Sequence, residues 1–375
     1  MNGRTRAPSS ATAPGSATGA GAGWAATAEL GPVRPGEDLD WDSLARYLRA
    51  HLDVDGPMTV LQFPNGSANL TYRVSFGARH LVVRRPPFGQ IAPGAHDMKR
   101  EHRVLSKLFV AFDRAPRSYL FCDDHDVVGS DFVVLEHRTG EVVWGELPAS
   151  MQEIPEAGTA IGLAVVDALA DLHRVDPSAC GLEALGRPDG YVRRQVEGWR
   201  RRWELVTTPE VDELMTEVAE TLSTTMPDAR RATLLHNDFK LDNCQFTSGH
   251  PERVTTVLDW DMATLGDPLI DLGTLLNYWP DPSDTDDDHA IGVDGIDTLG
   301  LPPRAAVVER YAAATGEDPT GHGWYEAFAC WKTAVVLQQL HQRFVRGEST
   351  DPRMAERGRE IPMLARRSRR LLTGS

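Results

Sequence analysis

The chain changes character near residue 137, and that change limits the folds open to it. Before it, short apolar runs at residues 59–63, 70–76, 80–84, about 119–122 and 132–136 read as strands. A helix is predicted over about 97–109, and an opening helix over 38–52, where Leu44, Tyr47, Leu48 and Leu52 recur at helical spacing. After Gly140, helical periods take over at 157–175, 191–206, 209–225, 268–278, 304–315, 324–346 and 352–372. Thr208 is placed to cap the third of these, with Pro209 at its first position. A small β patch, 233–235 and 254–258, interrupts them. The expectation is an α+β chain: a β-rich lobe over residues 37–137, a larger helical lobe over 138–375, and a polar β patch between them.

The 375 residues suit one large bilobal unit or two compact domains. Residues 7–28 are almost all Ala, Gly, Ser, Thr and Pro, so residues 1–36 are expected to form a disordered tail. The tail lacks the Leu- or Val-rich core that a secretory signal needs. No apolar run approaches the 18 or so residues of a membrane span. With 39 Lys and Arg against 54 Asp and Glu, the net charge of -15 argues against nucleic acid or an anionic membrane as partner. Cysteines 122, 180, 244 and 330 stand far apart, with neither zinc-ribbon nor disulfide-framework spacing, and a reducing cytoplasm is the simplest setting.

The densest chemistry lies in LLHNDFKLDNCQF, residues 234–246, where an apolar strand delivers His236, Asp238, Lys240 and Asn243 to one loop. Asp259 ends a second apolar run sixteen residues after Asn243. Phosphoryl transfer needs a carboxylate for the attacking hydroxyl, oxygen ligands for Mg²⁺ and cations against developing phosphate charge. Asp238 would serve the hydroxyl, Asn243 and Asp259 the metal, and Lys240 the transferred phosphate. The protein-kinase catalytic loop has the same Asp, with Lys at +2 and Asn at +5. Taken singly, an Asp or Asn in a loop is most often a cap or a turn; the joint spacing reverses that reading. His236 is expected to brace the loop, since Asp238 already supplies a base, and Cys244 to be core.

Upstream, FPNGSANLTY joins two strands, and its Gly66, Ser67 and Asn69 could cradle phosphates on backbone N–H groups, although an ordinary hairpin turn is the first guess. Arg84 ends the next strand and Glu101 lies in the following helix, a basic residue and acidic partner of the kind that hold nucleotide phosphates in kinases. Arg85, on the opposite face, is expected to be solvated.

These motifs resemble the aminoglycoside phosphotransferase and choline-kinase-like small-molecule kinases. Within that group the likeness is to bacterial phosphotransferase-family proteins and to the kinase-like domain fused to some eukaryotic acyl-CoA dehydrogenases. It runs from about residue 40 to 365 through NGSANLTYRV, LVVRRPP, KREHRVL, GLEALGRPDGYVRRQVEGW, LLHNDFKLDN, VLDWDMATLGDPLIDLG and WYEAFACWKTAVVLQQLHQRF. It implies a protein-kinase-like bilobal fold, ATP as donor with GTP left open, a nucleotide site between the lobes near Glu136, His137 and Arg138, Asp238 as base, and Mg²⁺ on Asn243 and Asp259. Arg84 stands where many kinases have Lys, and Lys240 where these relatives often have Arg; neither change removes a charge.

Asp267 is expected to cap a helix and Asp271 to anchor the catalytic loop, while Asp261 fits either a structural or a chemical role. Residues 280–297 carry seven aspartates and read as a solvated, mobile loop. Residues 353–370 carry seven arginines and read as an exposed helix face. The leading expectation is an ATP- and Mg²⁺-dependent kinase acting on a small hydroxylated acceptor, a hydroxyacyl thioester or other metabolite ahead of an aminoglycoside. The alternative is a catalytically silent kinase-like binding or regulatory protein. A metal hydrolase built on His236, Asp238, Asp259 and Asp261 lacks a second histidine at ligand spacing.

Overall fold

The computed structural model describes residues 30–63, 69–89, 96–228, 230–285, 288, 291, 293–348 and 352–374. Gly66 and Ser67 lie outside them, as does residues 1–29 of the expected tail. Strands β1 (Met58–Gln62), β2 (Leu70–Phe76), β3 (Arg79–Arg85), β4 (Ser118–Cys122) and β5 (Phe132–Glu136) form one antiparallel sheet in the order β1-β2-β3-β5-β4. Residues 30–36, read from composition as the end of a tail, engage its edge: Gly31 and Gln62 exchange backbone hydrogen bonds of 3.1 and 2.8 Å.

The two-residue alternation of β3 assigns a task to each face. Leu81 and Val83 pack with Leu44 and Leu48 of α1 (Trp41–His51), and with Val127 and Val128 of α3 (His125–Val128). Val82 packs with Val104 and Leu105 of α2 (Met98–Leu105) on the other side. Arg84 therefore points toward α2, and Arg85 toward the side that α1 and α3 cover. Arg85 is 3% exposed, donates to the carbonyls of Pro86 and Val128 at 3.0 Å, and stacks 4.1 Å from the Phe88 ring centroid. The expectation that it is solvated fails because its face of the sheet is not open to water.

The helical part contains α4 (Ala157–Arg174), α5 (Tyr191–Glu204), α6 (Pro209–Thr224), α7 (Leu269–Asn277), α8 (Arg304–Thr315), α9 (His322–Val345), α10 (Pro352–Glu356) and α11 (Glu360–Thr373). Helix α9 is its axis, with Tyr325 and Trp331 fully buried. Helix α7 approaches it so closely that a Cβ on Gly273 would lie 2.5 Å from the Tyr325 carbonyl. Two small sheets sit where the β patch was expected: β7 (Thr233–Leu235) with β10 (Thr264–Gly266), and β6 (Glu141–Val142), β8 (Cys244–Thr247) and β9 (His250–Val257) in the order β6-β8-β9. The helix predicted over 352–372 is broken by a 3₁₀ turn at Arg357–Arg359. Pro362 is the reason: without an N–H it belongs in the first turn of a new helix, and α11 begins two residues before it.

The acidic loop meets the arginine-rich helix at Asp288 and Arg304 of α8 at Asp281 and Asp284, which corrects both expectations in part. Asp281 accepts the Arg304 amide at 2.7 Å, and Asp284 takes the Arg304 guanidinium in a bidentate pair. Asp288 accepts from Arg370 and faces Arg367, whose buried guanidinium also pairs with Glu326 at 2.7 Å. Neither feature shows as paired in a sequence window because its counter-ions lie on other elements, 20 positions away for Asp284 and Arg304 and 82 for Asp288 and Arg370; Asp286 and Asp287 lie outside the described residues.

Candidate active site

Strand β7 ends at Leu235, and from His236 the chain turns through a loop whose backbone is held largely by side chains. Asp271, in the first turn of α7, accepts the His236 and Asn237 amides at 2.6 and 2.7 Å. His173 of α4 lies 3.3 Å from the same carboxylate. Burial alone would raise the Asp271 pKa, but the hydrogen bond and charge of His173, with His236 nearby, hold it below the ordinary carboxylate value. The expectation that Asp271 anchors this loop is met. So is that for His236, which is fully buried. Its Nε2 lies 2.8 Å from the Leu258 carbonyl and its Nδ1 takes the Asp238 amide at 3.3 Å, an assignment that makes Nε2 the protonated nitrogen and leaves neither free for acid–base work.

Asn237, at φ +67°, is gripped from three further sides. Its side chain accepts from the Tyr191 hydroxyl at 2.9 Å and donates to the Met262 carbonyl at 2.8 Å, and its carbonyl accepts from Lys332 at 3.2 Å. A loop so restrained presents the Asp238 carboxylate at a fixed place, with that side chain 23% exposed. Lys240 lies 3.1 Å from Asp238 and 3.9 Å from Asp242. Burial opposes the Lys240 charge, yet Asp238 and Asp242 outweigh it and raise its pKa above the usual lysine value. Burial pushes Asp242 up to about 6 despite Lys240.

Asn243 donates to the Asp238 carbonyl at 2.8 Å and to its carboxylate at 3.2 Å. Its Oδ1 is buried without a hydrogen-bond partner among the described residues. The Leu258 amide donates to the Asn243 carbonyl at 2.8 Å, which brings Asp259 alongside. Asp259 sits at φ +68°, a conformation that costs a non-glycine residue about 1–3 kcal/mol and is found where a site demands it. Arg84 bridges Asp259 and Glu101. One guanidinium shared by two buried carboxylates favours one of them: burial raises Glu101, whereas Arg84 holds Asp259 below its ordinary value against burial. Asp261 next to it is driven well up, by burial and then by the Asp259 charge.

An uncommitted amide oxygen beside a carboxylate is a donor set that fits Mg²⁺, a hard cation that takes one or two carboxylates and completes its shell with phosphate and water. No group of three or more His, Cys, Asp or Glu side chains among the described residues could hold a metal alone, so a cage built only of those side chains is not on offer. Asn69 lies at the start of β2, 3% exposed, with both side-chain amide atoms unpartnered. Glu136 and Arg138 pair at 3.0 Å, and Arg138 also ties to the carbonyls of Ala115 and Thr255, so their side chains brace the junction between the lobes. His137 follows β5, and burial, with Arg73 and His80 nearby, lowers its pKa to about 4.

Three site residues escaped the sequence reading. Asp242 was visible inside LDN but had no role there; Tyr278, whose ring centroid lies 5.2 Å from the Lys240 ammonium, and Lys332 arrive from helices that only the fold brings near. A cavity of about 40 Å³ opens beside Lys240, lined by Val143, Leu275, Tyr278, Ile291, Val293 and Leu337 among others. Among the described residues no helix is long and apolar enough to cross a membrane.

The sequence profile of the phosphotransferase enzyme family matches residues 59–328. The chain is 31% identical over 340 residues to acyl-CoA dehydrogenase family member 10 of Mus musculus, covering 89% of this chain and 31% of that protein. It spans less than half the length of the curated acyl-CoA dehydrogenase relatives that it matches. Among solved structures it is similar to a candidate aminoglycoside phosphotransferase from Ralstonia eutropha, with 29% identity, a TM-score of 0.75, and coverage of 90% of this chain and 99% of that one. It shares its fold, at 16% identity and a TM-score of 0.56, with a thermostable mutant of aminoglycoside phosphotransferase APH(4)-Ia in ternary complex with ADP and hygromycin B, covering 88% of this chain and 98% of that one.

Proposed function

Because this chain belongs to the phosphotransferase enzyme family, a family of small-molecule kinases, we propose that it transfers the terminal phosphate of ATP to a hydroxyl of a small molecule, with Asp238 as base. The observation that carries this reading is the convergence at one loop of the Asp238 carboxylate, the Lys240 ammonium and the unpartnered Asn243 oxygen, with Asp259 beside them. Asp238 orients the acceptor hydroxyl and takes its proton as the oxygen attacks phosphorus. Lys240 meets the charge of the transferred phosphate. Arg84, kept in place by Glu101, turns from Asp259 to the nucleotide phosphates. Asn243 and Asp259 would hold Mg²⁺, which would supply positive charge against the phosphate oxygens. Residues 37–137 form the nucleotide lobe, with Asn69 near the phosphates and residues 136–138 at the base; residues 138–375 supply the catalytic loop and acceptor site. Solved structures that share this fold hold ADP in one case and GDP in another, which supports a purine nucleotide and leaves GTP open as donor.

A hydroxyacyl thioester or another hydroxylated metabolite is favoured over a polycationic antibiotic. Of the described aspartates in the acidic loop, Asp284 and Asp288 are already paired with Arg304 and Arg370, Asp281 is held by the Arg304 backbone amide, and the cavity beside Lys240 is largely apolar. Four buried, free cysteines accord with a cytoplasmic setting. Incubation with Mg·ATP and a panel of hydroxylated metabolites and antibiotics, read by mass spectrometry, should yield one product heavier by a phosphate. Nucleotide binding with no phosphorylated product would favour a silent kinase-like binding protein.

A further inference from the structure

The chemistry of the acceptor can be narrowed, on the footing of the phosphotransferase reading, from a residue that reading leaves unused. Lys332 lies on α9 where α5 and the catalytic loop meet. Its Nζ donates to the carbonyl of Asn237, the residue before Asp238, at 3.2 Å and lies 5.8 Å from the ring centroid of Trp199. Arg202 stacks 4.4 Å from the same ring. No carboxylate stands within ion-pair distance of Lys332 among the described residues: Asp238 and Asp242 are engaged by Lys240, and Asp271 by the loop amides and His173. Part of the lysine surface remains open to solvent. Burial nonetheless draws its pKa below the ordinary lysine value, against the pull of Asp238 and Asp271. The Trp199 Nε1 beside it is buried without an acceptor.

Tethering one carbonyl requires a single neutral donor. Among the described residues, an ammonium placed here keeps two of its three N–H groups uncommitted and stands within ion-pair distance of no carboxylate. In a chain of net charge -15 a cation in ion-pair contact with no described carboxylate is set against the prevailing sign. We propose that Lys332 is a specificity-determining residue of the acceptor site: its ammonium binds an anionic group, a carboxylate or a phosphate, on the molecule whose hydroxyl faces Asp238.

Glycerol, glycerate and glycerol 3-phosphate share a three-carbon skeleton with free hydroxyls and carry no anion, a carboxylate and a phosphate respectively. ADP release at saturating Mg·ATP is measured for each with the full chain, with Lys332→Met and with Lys332→Arg. The expected result is a kcat/KM for at least one anionic acceptor about tenfold or more above glycerol, the lower end for a hydrogen bond to a charged group. Lys332→Met should erase that preference through KM and Lys332→Arg should retain it, and the favoured anion identifies the source. Equal values for all three acceptors in the wild type, measurable or nil, overturn the proposal, and this comparison stands even where Lys332→Met fails to fold. A preference that survives Lys332→Met, or a loss confined to kcat, also overturns it and leaves the lysine as a loop tether. Absence of Mg·ATP binding by the wild type, titrated without acceptor, would instead remove the kinase reading beneath it.

Discussion

At the scale of single residues, the site is organised by what each side chain has already committed. Asp271 spends both oxygens on loop amides and His236 both nitrogens on loop scaffolding, so neither is available to a ligand. The Asn243 Oδ1 is uncommitted, and Asp259 is committed only to a cation that phosphate can draw away. This division predicts unequal effects on the metal. Asp259→Asn removes the charged ligand and should weaken Mg·ATP binding by about tenfold or more, whereas Asn243→Ala removes a neutral one and should weaken it less. Calorimetric titration of the two variants checks the order; the reverse order, or binding indifferent to Mg²⁺, would discard these assignments.

At the scale of elements, charge is used to join segments remote in sequence. Arg367 on α11 reaches Glu326 on α9 and donates to the Asn277 carbonyl at the end of α7, all within the buried part of the helical lobe. Removing one member of a buried pair strands the other, at a cost of about 3–5 kcal/mol, whereas an exposed pair contributes about 1 kcal/mol or less. Arg367→Met should therefore lower the midpoint of urea unfolding sharply, and Arg310→Met, which breaks only the exposed pair with Asp167, should scarcely move it. Equal midpoints for the two variants would show that the arginine-rich helix does not lock the lobe. The same pairing explains why composition misjudged this region. A window of aspartates or of arginines reads as solvated because the opposite charge sits on another element.

At the scale of the whole molecule, the order of strands and helices and the clustering of polar residues at 236–243 were legible because they depend on local spacing. Period-2 and period-3.6 runs placed β2, β5 and α8 at their observed bounds, and Asp238, Lys240 and Asn243 lie within six residues of one another. What sequence left dark depends on chain crossings. The burial of Arg85 follows from α1 and α3 covering one face of the sheet, the Arg84–Asp259 contact spans 175 positions, and Lys332 comes to the loop from 95 residues away. Short elements such as β6 and β10 have too few residues to display a period. The reaction proposed for this chain turns on one carboxylate, that of Asp238. The most direct measurement compares wild type with Asp238→Asn for transfer of labelled γ-phosphate from ATP to the acceptor found in the metabolite panel, with Mg·ATP affinity measured in parallel. The account predicts unchanged nucleotide affinity and a transfer rate lower by at least about a hundredfold, the lower end for loss of a general base; near-wild-type transfer by Asp238→Asn would contradict it.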